Sequence, residues 1–167
     1  IRGVIEGFYG KPWTHEERID MLNFLAKTGL NTYFLAPKDE PGHRRSWQEL
    51  RPSPEIAKLS QLVSHAQSKG IVFGTEVSPG QTITYSSATE LDALKGRLKQ
   101  YLDIGINLLG VFLDDIPNDF QSEEDAKEFG SFAQAHAWLG NQLFDWLRSE
   151  YPAAQLILCP TVYRGTG

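Results

Sequence analysis

The sequence has a single cysteine, Cys159, among 167 residues. That excludes an internal disulfide and a cysteine-based zinc site. No run of basic residues occurs, and the formal net charge is −5. A nucleic-acid surface needs the opposite field, so no nucleic-acid partner is expected. Nor does any apolar stretch reach the ~18 residues that a membrane span requires, so no membrane partner is expected either. The dinucleotide fingerprint G-x-G-x-x-G and the phosphate-binding G-x-x-x-x-G-K-[ST] are both missing, which argues against a nucleotide cofactor. The four histidines are scattered along helices and loops. A histidine-based metal centre has little support, and only His43 falls where it could reach a site.

What is there is a hydrophobic fraction of 41%, enough for a core, and a repeated βα pattern. Three segments, "TGLNTYFLAP", "KGIVFGTEVSP" and "IGINLLGVFLDD", each carry a glycine between helical and strand-like sequence, at Gly29, Gly70 and Gly105. Glycine ends helices because it adopts the left-handed conformation without a Cβ clash. Thr14 and Glu17 have capping-box spacing at the start of the first helix. A second helix opens at Ser53-Pro54, a capping residue followed by a first-turn proline, and carries the stripe Ile56, Leu59, Leu62, Val63 and Ala66. A third carries Leu91, Leu94, Leu98 and Leu102. A fourth runs from about Glu124 through Phe129, Phe132, His136, Leu139, Leu143, Trp146 and Leu147.

Strands are predicted near Gly3–Glu6 and over Thr32–Ala36, Ile71–Phe73, Leu108–Leu113 and Leu156–Cys159. Their near-continuous apolar character fits parallel strands covered on both faces. Five strands alternating with four helices suit a doubly wound sheet or a (β/α)8 barrel. The missing nucleotide signatures favour the α/β barrel, with five of its eight units present. Residues 1–167 are then the N-terminal portion of one barrel domain, a fragment of a longer protein whose remaining strands would be a partner to this segment. One cysteine and no visible leader lean towards a cytoplasmic setting, although a trimmed start would hide a leader.

Barrel chemistry sits where strands end. Those ends read "EGFYGKPW" (6–13), "APKDEPGHRRSW" (36–47), "EVSPGQTI" (76–83), "LDDIPNDF" (113–120) and "CPTVYRG" (159–165). Carboxylates, a lysine, rings and glycines are what a polar, sugar-sized ligand needs. Each has a plainer reading. Asp114-Asp115 could be a turn. Lys38-Asp39 could be a surface ion pair. Tyr9, Trp13 and Trp47 could be packing residues. Asp119, Glu123, Glu124 and Asp125 are expected to form a solvated helix start.

Taken together, "GVIEGFYGKPW", "NTYFLAPKDE", "SPG", "FLDDI" and "CPTVYRGT", in order and across the whole chain, resemble glycoside hydrolase family 84, the O-GlcNAcases and bacterial β-N-acetylglucosaminidases. The resemblance implies a retaining enzyme acting on β-linked N-acetylglucosamine in a glycoside or glycoprotein. It implies no cofactor and no metal. The nucleophile would be the substrate's own 2-acetamido oxygen, through an oxazoline, one of the exceptions to the two-carboxylate scheme.

On that likeness, Asp114 orients the acetamido group and Asp115 is the general acid and then base. These roles need opposite protonation states, and an adjacent anion helps to separate them. Successive side chains of an extended strand face opposite ways, so the backbone must turn at Asp115, a turn Ile116-Pro117 can enforce. Gly7 would offer backbone to a ring hydroxyl and Lys38 would bond a hydroxyl. Tyr163 would hold the acetamido group, and Cys159 would wall its methyl pocket. Glu76 and Val162 depart from the usual family residues, and Glu76, if inward-pointing, needs a partner. The family's later-strand asparagines and aspartate cannot be assigned. The alternatives are a metal-dependent barrel hydrolase with Asp114 and Asp115 as Mg²⁺ ligands, and a GlcNAc-binding fragment without turnover.

Overall fold

The computed structural model describes residues 1–117 and 119–162. The elements run β1 (Gly3–Glu6), α1 (His15–Thr28), β2 (Thr32–Leu35), α2 (Pro41–Arg44), α3 (Ser53–Ser68), β3 (Val72–Val77), a 3₁₀ turn (Pro79–Gln81), α4 (Ala88–Asp103), β4 (Leu108–Phe112), α5 (Glu123–Phe129), α6 (Phe132–Glu150) and β5 (Gln155–Cys159). All strand pairs are parallel, in the order β1-β2-β3-β4-β5. Each strand lies beside its predecessor, and the order never reverses.

Local chemistry explains most boundaries. Thr14 Oγ1 accepts from the Glu17 N–H at 3.2 Å while Thr14 N–H donates to Glu17 Oε2 at 2.7 Å, the predicted capping box. Gly29, Gly70 and Gly105 all have positive φ, as the turn after each helix demands. Three boundaries differ from expectation. Ser53 is already inside α3; Pro52 precedes it and no side chain caps that end. The expected fourth helix is two helices. Gly130, at φ 65°, ends α5, and Ser131 caps α6 by accepting from the Gln134 N–H. A glycine followed by serine is a stop and a start. β3 extends to Val77 because its polar residues are satisfied: Thr75 Oγ1 donates to the Leu35 carbonyl at 3.0 Å.

The two faces of the sheet are used differently, as the two-residue period of a strand requires. Tyr33, Leu35, Phe73, Val77, Leu109 and Val111 face the helices and pack with Leu22, Leu25, Leu62, Leu98, Leu139 and Leu143 in the main core. The alternate residues form a second, helix-free cluster of Phe34, Ala36 and Leu108 with Phe112 and Ile157. Phe34 and Phe112 stack there, with centroids 5.5 Å apart. A Cβ on Gly74 or Gly110 would lie 2.4 or 2.8 Å from the Phe34 ring, so both glycines make room for it. On this same face Ile5 and Val72 stay 61% and 51% exposed.

Candidate active site

The helix-free face leads into the site. Continuing its alternation past the strand ends selects Gly7, Lys38, Glu76, Asp114 and Cys159, one from each strand or the residues just after it. Lys38 is held by its own N–H, which donates to the Phe8 carbonyl at 3.1 Å. Its Nζ lies 2.5 Å from Asp114 Oδ2, so it is not a surface partner of Asp39. The latter accepts instead from the Gly10 N–H at 2.7 Å, tying the first loop to the second. The Asp114 side chain is 14% exposed, and its other oxygen, Oδ1, is buried with no protein partner among the described residues. One oxygen is thus paired with Lys38, and the other has no donor among the described residues.

Asp115 makes the expected turn. It has φ 54°, the one non-glycine residue with positive φ among those described. Aspartate tolerates this region better than most residues, but it still costs about 1 kcal/mol. The neighbours hold it. Gly80 packs under Ile116; a Cβ there would meet Ile116 Cδ1 and Cγ2 at 3.0 Å. The Leu113 N–H donates to the Cys159 carbonyl at 2.8 Å, and Thr161 Oγ1 donates to the Leu113 carbonyl at 2.7 Å, carrying the β4–β5 pairing up to the aspartates. The turn takes the Asp115 carboxylate out of the strand's alternation and onto Tyr9, whose hydroxyl donates to Asp115 Oδ2 at 2.8 Å. Arg44 donates from Nη1 to the Tyr9 hydroxyl and from Nη2 to the Asp115 carbonyl, both at 3.0 Å.

Glu76 points to the helix-free face and finds partners. Ser78 Oγ donates to its Oε2 at 2.7 Å, and His43 Nδ1 lies 3.4 Å from its Oε1. Burial pushes its carboxyl up from 4.5 to about 8, against the pull of the Ser78 hydrogen bond and of Lys38 and with a push from Asp114. It therefore carries its proton at neutral pH. His43 does not open into the site: it is fully buried behind it, with Nδ1 2.8 Å from the Glu76 carbonyl. Burial, helped by Arg51, pushes its pKa down to about 3, so the ring is neutral. Burial, then Asp114, raises the Cys159 thiol, which keeps it protonated and a poor nucleophile. Among the described residues a Cβ on Gly7 would meet only Ile5 Cγ2, at 3.1 Å, which leaves room for a ligand beside the backbone. Tyr163 lies outside the described residues.

Tyr9 and Arg44 were legible only as a ring in a loop and a charge in a basic pair; nothing in their spacing pointed to Asp115. Asp125 also differs from expectation. It is no solvated helix-start charge but a buried brace, accepting from the Tyr85 N–H at 2.7 Å, the Ser86 N–H at 2.8 Å and Ser86 Oγ at 2.7 Å. Trp47 and Trp13 do pack: Trp47 is fully buried, with its indole N–H on Thr82 Oγ1 at 2.9 Å, and Trp13 lies against the core. Among the described residues no three His, Cys, Asp or Glu side chains gather to hold a metal ion, and no helix is long and apolar enough to cross a membrane.

Comparison with known proteins bears on this arrangement. A family model described as beta-N-acetylglucosaminidase matches residues 2–167. Protein O-GlcNAcases of Rattus norvegicus and Mus musculus are each 37% identical over 164 residues, which is 98% of this chain and 18% of theirs. The solved structure of a Thermobaculum terrenum O-GlcNAc hydrolase mutant is 39% identical, with a TM-score of 0.94, over 97% of this chain and 35% of that one. This chain thus spans under a fifth of the curated relatives and about a third of the solved one. With five strands in sequential order, a carboxylate pair at the end of the fourth, and similarity over nearly its full length, the chain belongs to the β-N-acetylglucosaminidase family, glycoside hydrolase family 84.

Proposed function

We propose that the protein is a retaining β-N-acetylglucosaminidase that removes terminal β-linked GlcNAc, including O-GlcNAc on proteins, by substrate-assisted catalysis. The single observation that carries the mechanism is the turn between the two adjacent aspartates. Asp114 lies on the helix-free face with a buried oxygen that has no partner among the described residues, and the positive φ of Asp115 takes its carboxylate out of the strand's alternation and onto Tyr9.

In this reading Asp114 Oδ1 accepts the acetamido N–H, aims the carbonyl oxygen at the anomeric carbon and stabilises the charge that grows on nitrogen. Lys38 holds the other Asp114 oxygen and is within reach of a sugar hydroxyl. The acetamido oxygen forms its bond to the anomeric carbon as the bond to the aglycone oxygen breaks. Asp115 gives its proton to that leaving oxygen. It then takes a proton from water, which attacks the anomeric carbon and reopens the oxazoline. Two inversions retain the configuration. Gly7 lets the sugar approach the backbone, Cys159 walls the methyl pocket, and Tyr163 helps to hold the acetamide.

The fold supports a closed (β/α)8 barrel completed by later strands of the same protein. A doubly wound sheet reverses its strand order and carries helices on both faces. Here the order runs 1 to 5 and the helices pack on one face alone. The apolar side chains Ile5 and Val72, exposed on the other face, are what a closing barrel would cover.

The test is hydrolysis of paired aryl β-glycosides, one with a 2-acetamido and one with a 2-hydroxyl group, by the intact enzyme. Turnover of the acetamido substrate alone is expected. Equal cleavage of both, or of neither, overturns the substrate-assisted reading.

A further inference from the structure

We infer that Arg44 is a positioning residue for the general acid: it holds Asp115 at once by its backbone and, through Tyr9, by its carboxylate. The inference rests on the reading of Asp115 given above.

Arg44 sits at the end of α2, in the loop that follows β2, 71 residues away from Asp115 in sequence. It is 5% exposed. Its guanidinium uses two nitrogens on two parts of one assembly. Nη2 donates to the Asp115 carbonyl, which fixes the peptide that leaves the left-handed turn, and Nη1 donates to the Tyr9 hydroxyl. An arginine has no acceptor, so the Tyr9 oxygen must accept from it. The single Tyr9 proton is then free for Asp115 Oδ2, where the hydroxyl lies at 2.8 Å. Arg44 Cζ also lies 5.9 Å from the centroid of the Tyr9 ring, so one side chain fixes both the place and the polarity of the hydroxyl. With Oδ2 occupied, Oδ1 is the oxygen left to hand over and take back the proton. Lysine cannot substitute, because a point charge cannot reach two acceptors with a rigid fork.

The consequence is selective. A good leaving group departs without a proton, so a misplaced acid harms it little. A poor one needs the acid within hydrogen-bond reach, and a displacement of about 1 Å can cost about 100-fold. The experiment measures kcat/KM for Arg44→Lys, Tyr9→Phe, the double variant and Asp115→Asn in the intact enzyme, over aryl β-GlcNAc substrates from good to poor leaving groups. Tyr9 is 56% exposed, so its variant keeps the fold even if that of Arg44 is destabilised.

Arg44→Lys and Tyr9→Phe are expected to lose about 10- to 100-fold on the poorest leaving groups and far less on the best. Their effects should be strongly less than additive, since both break one chain of hydrogen bonds. If Asp115→Asn shows this leaving-group dependence but the Arg44 and Tyr9 variants lose the same factor on every substrate, or add independently, the inference is overturned and the proposed function stands. If Asp115→Asn is itself indifferent to the leaving group, the assignment of Asp115 as acid fails, and the inference with it.

Discussion

Replacing Glu76 by glutamine should change how stability depends on pH, and the structure sets both the sign and the window. Glu76 is 1% exposed, and its carboxyl is raised by burial from 4.5 to about 8. Between those values the folded protein holds a proton that the unfolded chain has released. Stability therefore falls as pH rises, is fully present below about 4.5 and stops falling above about 8. One proton corresponds to a slope of about 1 kcal/mol per pH unit, slightly more at its steepest, so the full effect is on the order of a few kcal/mol.

Glutamine has the shape of the protonated acid and can still accept from Ser78 Oγ, but it does not titrate. The charged and titratable groups around the site, His43, Lys38, Arg44 and Asp114, are the same in both proteins. Urea unfolding at fixed ionic strength would be followed from pH 5 to 9. The Glu76→Gln protein should gain on the wild type steadily as pH rises and level off above about 8. The interval from 6.5 to 9 is the cleanest, because His43 and His136, held at about 3 and about 4, are neutral there. Parallel stability curves, or a gain that grows towards acid pH, would refute the view that Glu76 is buried as the neutral acid.

Those two histidines make the opposite prediction at low pH. Burial holds both well below the ordinary 6.5, so stability should fall as pH drops from 6.5 towards 4; His136→Gln should remove part of that acid slope in the same urea titration. Asp125→Ala removes the acceptor of three hydrogen bonds from residues 85 and 86. It should cost about 3 kcal/mol, seen as a lower urea midpoint with unchanged m-value. Gly110→Ala puts a Cβ 2.8 Å from Phe34 Cζ, 2.9 Å from Glu76 Cβ and 2.9 Å from Phe112 Cε1. Such overpacking costs about 1–3 kcal/mol, and a variant as stable as wild type in thermal unfolding would contradict the tight inner face.

By itself the sequence determined the repeating βα grammar and the adjacent aspartates at the end of the fourth strand. Helix stripes, the Thr14–Glu17 box and the glycines at 29, 70 and 105 are local signals whose physics acts over one or two turns, and all three appear in the structure. The turn at Asp115 was legible too, because two neighbouring side chains on a strand cannot meet one ligand without it. Local signals were also misread. The Gly130-Ser131 break was hidden inside a continuous apolar stripe, and the length of β3 was hidden by Thr75 and Glu76, whose partners are distant or turn-borne.

Tertiary structure alone decided which of many surface-type residues serve the site. Lys38 chose Asp114 over its sequence neighbour, Asp125 became a buried brace, and Arg44 and Tyr9 converged on Asp115. Those pairings join residues 38 to 114, 125 to 85, and 44 and 9 to 115. Sequence spacing encodes contacts made within a helix turn or a strand pleat. It carries no trace of which loops parallel strands will bring together at one end of a sheet.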